Sequence, residues 1–124
     1  MSERISTFKE LQVYQLACEL DENIFIETRQ WPGDEKYALI DQIRRSSRAI
    51  GANLAESWAK RRYPAHFVSK LTDADGELQE TIHWLGRAGK YGYLQKSKQI
   101  ELEELCLTIG RKLGKMIQIP ESFA

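Results

Sequence analysis

Residues 39–62 read LIDQIRRSSRAIGANLAESWAKRR, and this run decides the fold. At 100° per residue Leu39, Ile43, Ile50 and Leu54 fall within about 60° of one another, flanked by Ile40, Ser47 and Trp58. That is one core-facing stripe on a long helix. Asp34 is a candidate N-cap, so the helix is predicted over about 34–61. Ser46 and Ser47, small residues within it, suit close approach of a neighbouring helix.

Working outward, Trp31-Pro32-Gly33-Asp34 breaks any helix before this one, because proline lacks an N–H and glycine loosens the backbone. The preceding helix is predicted over about 8–29, opened by a Thr7…Glu10 capping box. Leu11, Tyr14, Cys18 and Phe25 form one of its stripes and Val13, Ala17, Leu20 and Ile24 another, a width that suits burial on two sides. On the far side Tyr63-Pro64 marks the next boundary, with Pro64 in the first turn of a helix over about 64–89. Phe67, Leu71, Ala74, Leu78, Ile82 and Leu85 give it a seam for packing on another helix. Tyr91-Gly92-Tyr93 reads as a turn, and Ser97 as the cap of a fourth helix over about 97–117. Its inward stripe is Leu102, Leu105, Cys106, Ile109, Leu113 and Met116 or Ile117, and Ile119-Pro120 ends it. Strand-like alternation is absent. Four amphipathic helices with short connections predict an all-α, antiparallel up-down-up-down four-helix bundle, a single domain over 1–124.

The chain of 124 residues carries 18 basic and 18 acidic side chains, a net charge of zero, which argues against a generic nucleic-acid binder. Resolved along the chain the balance is uneven. Residues 1–43 hold four basic and nine acidic groups, and residues 71–124 seven and eight. Residues 44–70 hold seven basic groups (Arg44, Arg45, Arg48, Lys60, Arg61, Arg62 and Lys70) against one acid, Glu56. No apolar run reaches membrane-spanning length and the first seven residues hold no apolar signal segment, so the expected compartment is the cytoplasm. Cys18 and Cys106, 88 positions apart and free of paired spacing, read as small buried hydrophobes rather than metal ligands or a disulfide.

Chemistry is sparsely signalled. Glu80-x-x-His83, with Glu77 beside it, has the form used in di-iron bundles, but that site needs a second Glu-x-x-His, and Tyr63 stands three before the other histidine, His66. No Gly-x-Ser-x-Gly elbow, phosphate loop or dinucleotide fingerprint occurs, so no enzyme, metal, cofactor or small-molecule substrate is expected. The basic stretch is the best functional candidate. Arg44 and Arg48 lie about 40° apart and Arg45 only a little farther round, all away from the apolar stripe, and Ala52, Ala55 and Ala59 continue their face toward Lys60-Arg61-Arg62. Guanidinium groups suit phosphate or carboxylate. The competing reading pairs these arginines with acids of the first helix (Glu19, Asp21, Glu22 and Glu27), within a subunit or between subunits. Trp31, Trp58 and Trp84, with Tyr37, Tyr63, Tyr91 and Tyr93, gather near helix ends and cannot all fit four narrow seams, which favours a self-association surface.

Gln42-Ile43-Arg44-Arg45-Ser46, followed by Ile50-Gly51-Ala52-Asn53-Leu54-Ala55-Glu56, resembles the signature of the 23S rRNA-intervening-sequence proteins. Phe8-x-x-Leu11-x-Val13-Tyr14-Gln15-x-Ala17 is similar to the family's opening, and Trp31-Pro32-x-x-Glu35-x-Tyr37-x-Leu39 to the start of its second helix. Phe67-Val68-x-Lys70-Leu71, Glu77, Glu80-Thr81 and Trp84-Leu85 resemble the third helix of the Gly-Ala-Asn branch. Ala49 and Ser57 depart from the pattern, standing where the family often has serine and glycine. The resemblance implies a small bacterial four-helix bundle assembled as a homopentameric ring, in a family whose genes often lie inside insertions in large-subunit ribosomal RNA genes and whose relatives assist reverse transcriptases of diversity-generating retroelements. It implies no established enzymatic activity. Gln42, Arg44, Arg45, Asn53 and Glu56 carry over, with Asn53 and Glu56 expected first as a polar pair that fixes helix or subunit register and, as the alternative, as neighbours of the arginines in a functional surface. The sequence thus leaves two expectations: a non-catalytic oligomer whose second-helix arginine face contacts RNA or a nucleoprotein, or a protein–protein adaptor in which those arginines build subunit contacts.

Overall fold

The computed structural model describes residues 5–123. Four helices account for most of them: α1 (Gln12–Thr28), α2 (Leu39–Ala59), α3 (Pro64–Lys90) and α4 (Lys96–Gln118), with no strand among the described residues. Each packs on its chain neighbours and α4 returns to α1, whereas the diagonal pairs do not meet, so the bundle is a closed square. Side-chain pairs fix the directions. Thr28 meets Arg44 and Tyr14 faces Gly51; Arg45 meets Glu80 and Glu56 meets Lys70; Leu78 faces Gly110; and Asn23 meets Lys98 while Gln12 meets Lys112. Every adjacent pair therefore runs antiparallel, the arrangement short connections favour.

The core follows the expected stripes with three adjustments. Leu39, Ile40, Ile43, Ile50, Leu54 and Trp58 of α2 are buried, as are Phe67, Leu71, Ala74, Leu78 and Leu85 of α3 and Leu102, Cys106, Ile109, Leu113 and Met116 of α4. Each fully buried aliphatic or phenyl group contributes about 1.5–3 kcal/mol of transfer free energy. The first adjustment concerns α1, which buries a single stripe, Val13, Ala17, Leu20, Ile24 and Thr28. Tyr14 and Cys18 are half-buried and Phe25 is 40% exposed. In a closed square each helix has two neighbours but one inward face, so of the second stripe Tyr14 and Phe25 border the α1–α2 groove and only Leu11, ahead of the helix, reaches the core. In α3, Thr81 is buried where Ile82 was expected, and Ile82 is half-buried. The Thr81 hydroxyl is satisfied there, bonding the Glu77 carbonyl at 2.9 Å and lying 2.9 Å from Ser46 Oγ. Ser46 and Ser47 are buried in the bundle, the small-residue role foreseen for them. In α4, Leu105 is likewise only half-buried.

The helix starts differ more. Thr7 and Glu10 form no capping box: Glu10 accepts from the Ser6 hydroxyl at 2.7 Å, and Phe8–Glu10 is a separate 3-10 turn. Leu11 takes an extended conformation that buries its side chain, and α1 begins only after it. Asp34 does not cap α2. Gly33–Glu35 form a second 3-10 turn and the helix begins at Leu39, whose N–H reaches Glu35 Oε1 at 3.4 Å. Trp31 and Leu39 are both buried, and the turn between them lets the chain bring both inward. Ser97 is exposed inside α4 and caps nothing; Gln95 holds the cap position. Pro64 does open α3. That helix closes on Gly92, whose φ of +80° lies in the left-handed region, with Tyr93 N–H bonding the Ala88 carbonyl and Gly92 N–H the Gly89 carbonyl. This double bond pattern satisfies two terminal carbonyls and requires a residue without a Cβ penalty.

Candidate nucleic-acid interface

The core stripe of α2 faces the bundle axis, so its polar side overlooks two grooves, and the cationic residues divide between them. Arg45 turns toward α3. Its guanidinium bonds Glu77 at 3.1 Å and also Glu80, and its Nε lies 3.5 Å from Gln42 Oε1. The bond to Glu80, then that to Glu77, raises the Arg45 pKa further, and Arg45 in turn, with the Trp84 indole N–H, holds the Glu80 carboxyl below its ordinary value. Lys70 on α3 reaches back to Glu56 at 2.8 Å and to Asp73 at 3.6 Å. Two of the seven cations of the basic stretch are thus neutralised by carboxylates within the chain.

Arg44 and Arg48 turn the other way, toward α1. Arg44 Nε donates to Thr28 Oγ1 at 2.8 Å. Both guanidiniums approach the face of Phe25, Arg44 at 4.8 Å and Arg48 at 5.9 Å from the ring centroid, and Arg29, four residues on from Phe25, joins them at 5.7 Å. Arg44 and Arg48 also line an open cavity of about 560 Å³ with Lys36, Tyr37, Ile40, Asp41 and Arg45. Neither arginine forms an ion pair among the described residues. The expected pairing with Glu19, Asp21, Glu22 and Glu27 is therefore not made within the subunit: where α1 meets these arginines it presents Phe25 and Thr28, not carboxylates. Asp21 comes nearest in effect. Its carboxyl is raised by burial and by Glu22, and the Arg48 charge offsets this only in part.

The remaining cations lie at the far end of α2. Ala59 is roughly 22 Å of helix from Arg44 at 1.5 Å per residue. Lys60 and Arg62 are exposed, and Arg61 lies over the Trp58 ring at 4.3 Å with a bond to the Trp58 carbonyl at 3.0 Å. Between the two ends Ala52 and Ala59 are exposed and Ala55 half-buried, so the alanine face is open. The predicted basic surface is therefore not one patch. It is a cluster beside α1, a cluster at the α2–α3 turn and two cations, Arg45 and Lys70, paired with carboxylates across the α2–α3 groove.

The other singled-out residues have plain roles. Asn53 and Glu56 do not bond each other: Asn53 Nδ2 donates to the Ala49 carbonyl at 3.0 Å, and Glu56 is held by Lys70. The expected polar pair is thus two separate contacts, one within α2 and one from α2 to α3. Glu77 and Glu80 are engaged by Arg45, His83 is exposed with its ring against Trp84, and among the described residues no group of three His, Cys, Asp or Glu side chains could hold a metal ion. Cys106 is buried, and burial pushes its thiol up to about 12; Cys18 is half-buried. No helix among the described residues is long and apolar enough to cross a membrane. Of the end-clustered aromatics, Trp31 and Trp58 are buried, Trp84 and Tyr93 half-buried, and Tyr37, Tyr63 and Tyr91 exposed.

A family model described as 23S rRNA-intervening sequence protein matches residues 9–115, which span α1, α2 and α3 whole and all but the last three residues of α4. The chain belongs to this family. A solved structure with a TM-score of 0.75 and 23% sequence identity covers 86% of this chain and 95% of its own: a protein of unknown function from the S23 ribosomal protein family of Bacteroides thetaiotaomicron VPI-5482, at 1.70 Å resolution. At that identity the likeness shows the fold alone. No curated protein matches. In this member of the 23S rRNA-intervening sequence family the signature residues split between scaffold and surface, Arg45 bracing α2 on α3 while Arg44 faces the α1 groove. Sequence reasoning missed Arg29 and Lys36, and it placed Tyr37 with the self-association aromatics instead of beside the arginines. Phe25 was assigned to a core stripe, and the available signal was Arg29 at i+4 from it, a spacing that places both on one helix face.

Proposed function

We propose that this protein is a non-catalytic bundle that contacts RNA through the α1–α2 face carrying Arg29, Arg44 and Arg48. One observation carries the reading: three guanidiniums converge within 6 Å of one ring centroid, and none is in an ion pair among the described residues. Bringing three guanidiniums together with no ion pair costs stability that a bound anion offsets, and phosphate accepts forked guanidinium donors. The family's description favours RNA as the source of that phosphate. Lys60 and Arg62 extend the positive field toward the other end of α2.

The test is RNA binding titrated with salt. Each phosphate contact on a single strand contributes about 0.7 to the slope of log affinity against log salt. Arg44→Ala/Arg48→Ala is expected to lower the slope by about 1.4, whereas Arg45→Ala, whose guanidinium is already spent on Glu77 and Glu80, lowers it far less. Equal effects of the two variants, or no salt dependence, overturn the reading.

Self-association is proposed on a different surface. Ile100 and Leu107 are 45% and 54% exposed and stand two turns apart on one face of α4, with Ile119 beyond them. Light scattering decides between the two roles of the arginines. An oligomer that survives Arg44→Ala/Arg48→Ala leaves them free for RNA; dissociation without any RNA binding supports the adaptor role.

A further inference from the structure

We infer that the RNA form this face takes is single-stranded, with a base stacked on Phe25. The inference rests on the RNA reading above and adds to it the ligand's conformation. It follows from the aromatics rather than the cations. Phe25 is 40% exposed at the edge of the bundle, and Tyr37 is 85% exposed in the segment leading into α2. Each has cationic groups over its ring: Arg29, Arg44 and Arg48 over Phe25, and the Lys36 ammonium 5.4 Å from the Tyr37 centroid. Arg44 and Arg48 are common to both neighbourhoods, because they touch Phe25 on one side and line the open cavity with Tyr37 on the other. That cavity, about 560 Å³, lies in the size range of ligand clefts, roughly 300–1,000 Å³. Asp41 is the one acid lining it, against Lys36, Arg44 and Arg48, with Arg45 also at its wall but paired to Glu77 and Glu80.

Isolated exposed aromatics are ordinary on protein surfaces. Aromatics interleaved with unpaired arginines are a narrower arrangement. Cations alone would hold any polyanion, including a duplex, through its phosphates. A ring on an open face gains from nucleic acid only where a base is free to leave its stack, because in a duplex every base face is covered by its neighbours. In a single strand the base lies on the ring while its phosphates meet the guanidiniums beside it, and a displaced guanidinium can itself cover the other face of the base. Such stacking tolerates any base, since each has a π-face, so sequence preference is expected to be weak.

The experiment is fluorescence anisotropy with an end-labelled mixed-sequence 12-nucleotide RNA, single-stranded or annealed to its complement, at 50 mM salt. Wild type is expected to favour the single strand. Phe25→Ala and Phe25→Leu are expected to weaken single-strand binding roughly 5- to 150-fold, the equivalent of about 1–3 kcal/mol for one lost stack. Both leave duplex binding and the salt slope unchanged, and Phe25→Tyr restores the single-strand preference. Phe25→Leu keeps the apolar bulk, and the largely exposed Tyr37→Ala supplies a second platform variant free of folding consequences, expected to give a smaller loss in the same direction. Single-strand binding that Phe25→Leu leaves intact, or a duplex bound as tightly as the single strand, overturns the stacking inference while the RNA reading stands on its arginine dependence. Binding of neither form at 50 mM salt overturns both.

Discussion

The Ser46–Thr81 contact between α2 and α3 allows a stability prediction worked from geometry. Both residues are fully buried. Thr81 Oγ1 lies 2.9 Å from the Glu77 carbonyl, and Ser46 Oγ lies 2.9 Å from Thr81 Oγ1 but 3.3 Å from its own alternative acceptor, the Ile43 carbonyl. One hydrogen per hydroxyl then gives a chain: Ser46 donates to Thr81, and Thr81 donates to Glu77. Ser46→Ala removes the inter-helix bond and leaves Thr81 satisfied, a loss of about 1 kcal/mol. Thr81→Val keeps the volume but removes both that bond and the Thr81–Glu77 bond within α3, leaving Ser46 to fall back on the longer contact to Ile43, at a cost of about 1–2 kcal/mol. The double variant loses the inter-helix bond only once. Its destabilisation is expected near that of Thr81→Val alone, so the cycle shows a coupling of about 1 kcal/mol instead of the sum of the two single losses. Urea denaturation followed by far-ultraviolet circular dichroism, at one protein concentration so that any oligomer is held constant, reads the three differences from the midpoints and a common slope. Losses that add to within about 0.3 kcal/mol refute the hydrogen-bond chain. Ser46→Leu is a control for closeness: if these helices approach because the contact residues are small, it destabilises by about 1–3 kcal/mol through overpacking.

Two further outcomes follow from the titratable groups. The Asp21 carboxyl is raised in the folded state by burial and by Glu22, so its ionisation opposes folding: its contribution favours the native state at low pH and is lost as pH rises through the folded value. Asp21→Asn is therefore expected to raise Tm at pH 7 by about 1–2 °C, the scale of a surface change within 0.5 kcal/mol, with the gain vanishing near pH 3; a loss at pH 7 refutes the sign. Of the two thiols, Cys106 is buried and raised to about 12, so only about one in ten thousand is thiolate at pH 8. A colorimetric disulfide reagent is expected to titrate Cys18 in the native protein and Cys106 only in denaturant, and two equally fast thiols contradict the burial.

The contrast between Arg44 and Arg45 concentrates what this structure says about function. They are adjacent in the chain and 100° apart on the helix, which is enough to send one to a groove with two glutamates and the other to a groove with a phenyl ring. The Arg45 cluster is half-exposed, so its ion pairs are screened and position α2 against α3 more than they stabilise it. The Arg44 cluster forms no ion pair among the described residues, although Asp21 lies within reach of the Arg48 charge and Asp41 lines the same cavity. A net charge of zero is therefore compatible with an anion-binding face, because charges that cancel in the total need not pair on one face.

By itself the sequence determined the helices and their core. Leu39, Ile43, Ile50 and Leu54, or Leu102, Cys106, Ile109 and Leu113, recur at helical spacing because every buried position must return to the same side of a 3.6-residue turn, a local constraint that needs no partner to be read. Pro64 and Gly92 are legible for the same reason, since their backbone limits are intrinsic. The helix starts were less legible. Thr7, Asp34 and Ser97 are all competent caps, but where α1, α2 and α4 begin was settled by Leu11, Trp31 and Leu94 reaching the core. The candidate site was legible least. A helical wheel gives the angle at which a side chain leaves its axis and says nothing of what stands opposite. Only the packing of α2 between α1 and α3 decided that Arg45 would be neutralised, that Arg44 and Arg48 would gather with Arg29, and that Phe25, apolar and at a core-like spacing, would stay at the surface among them.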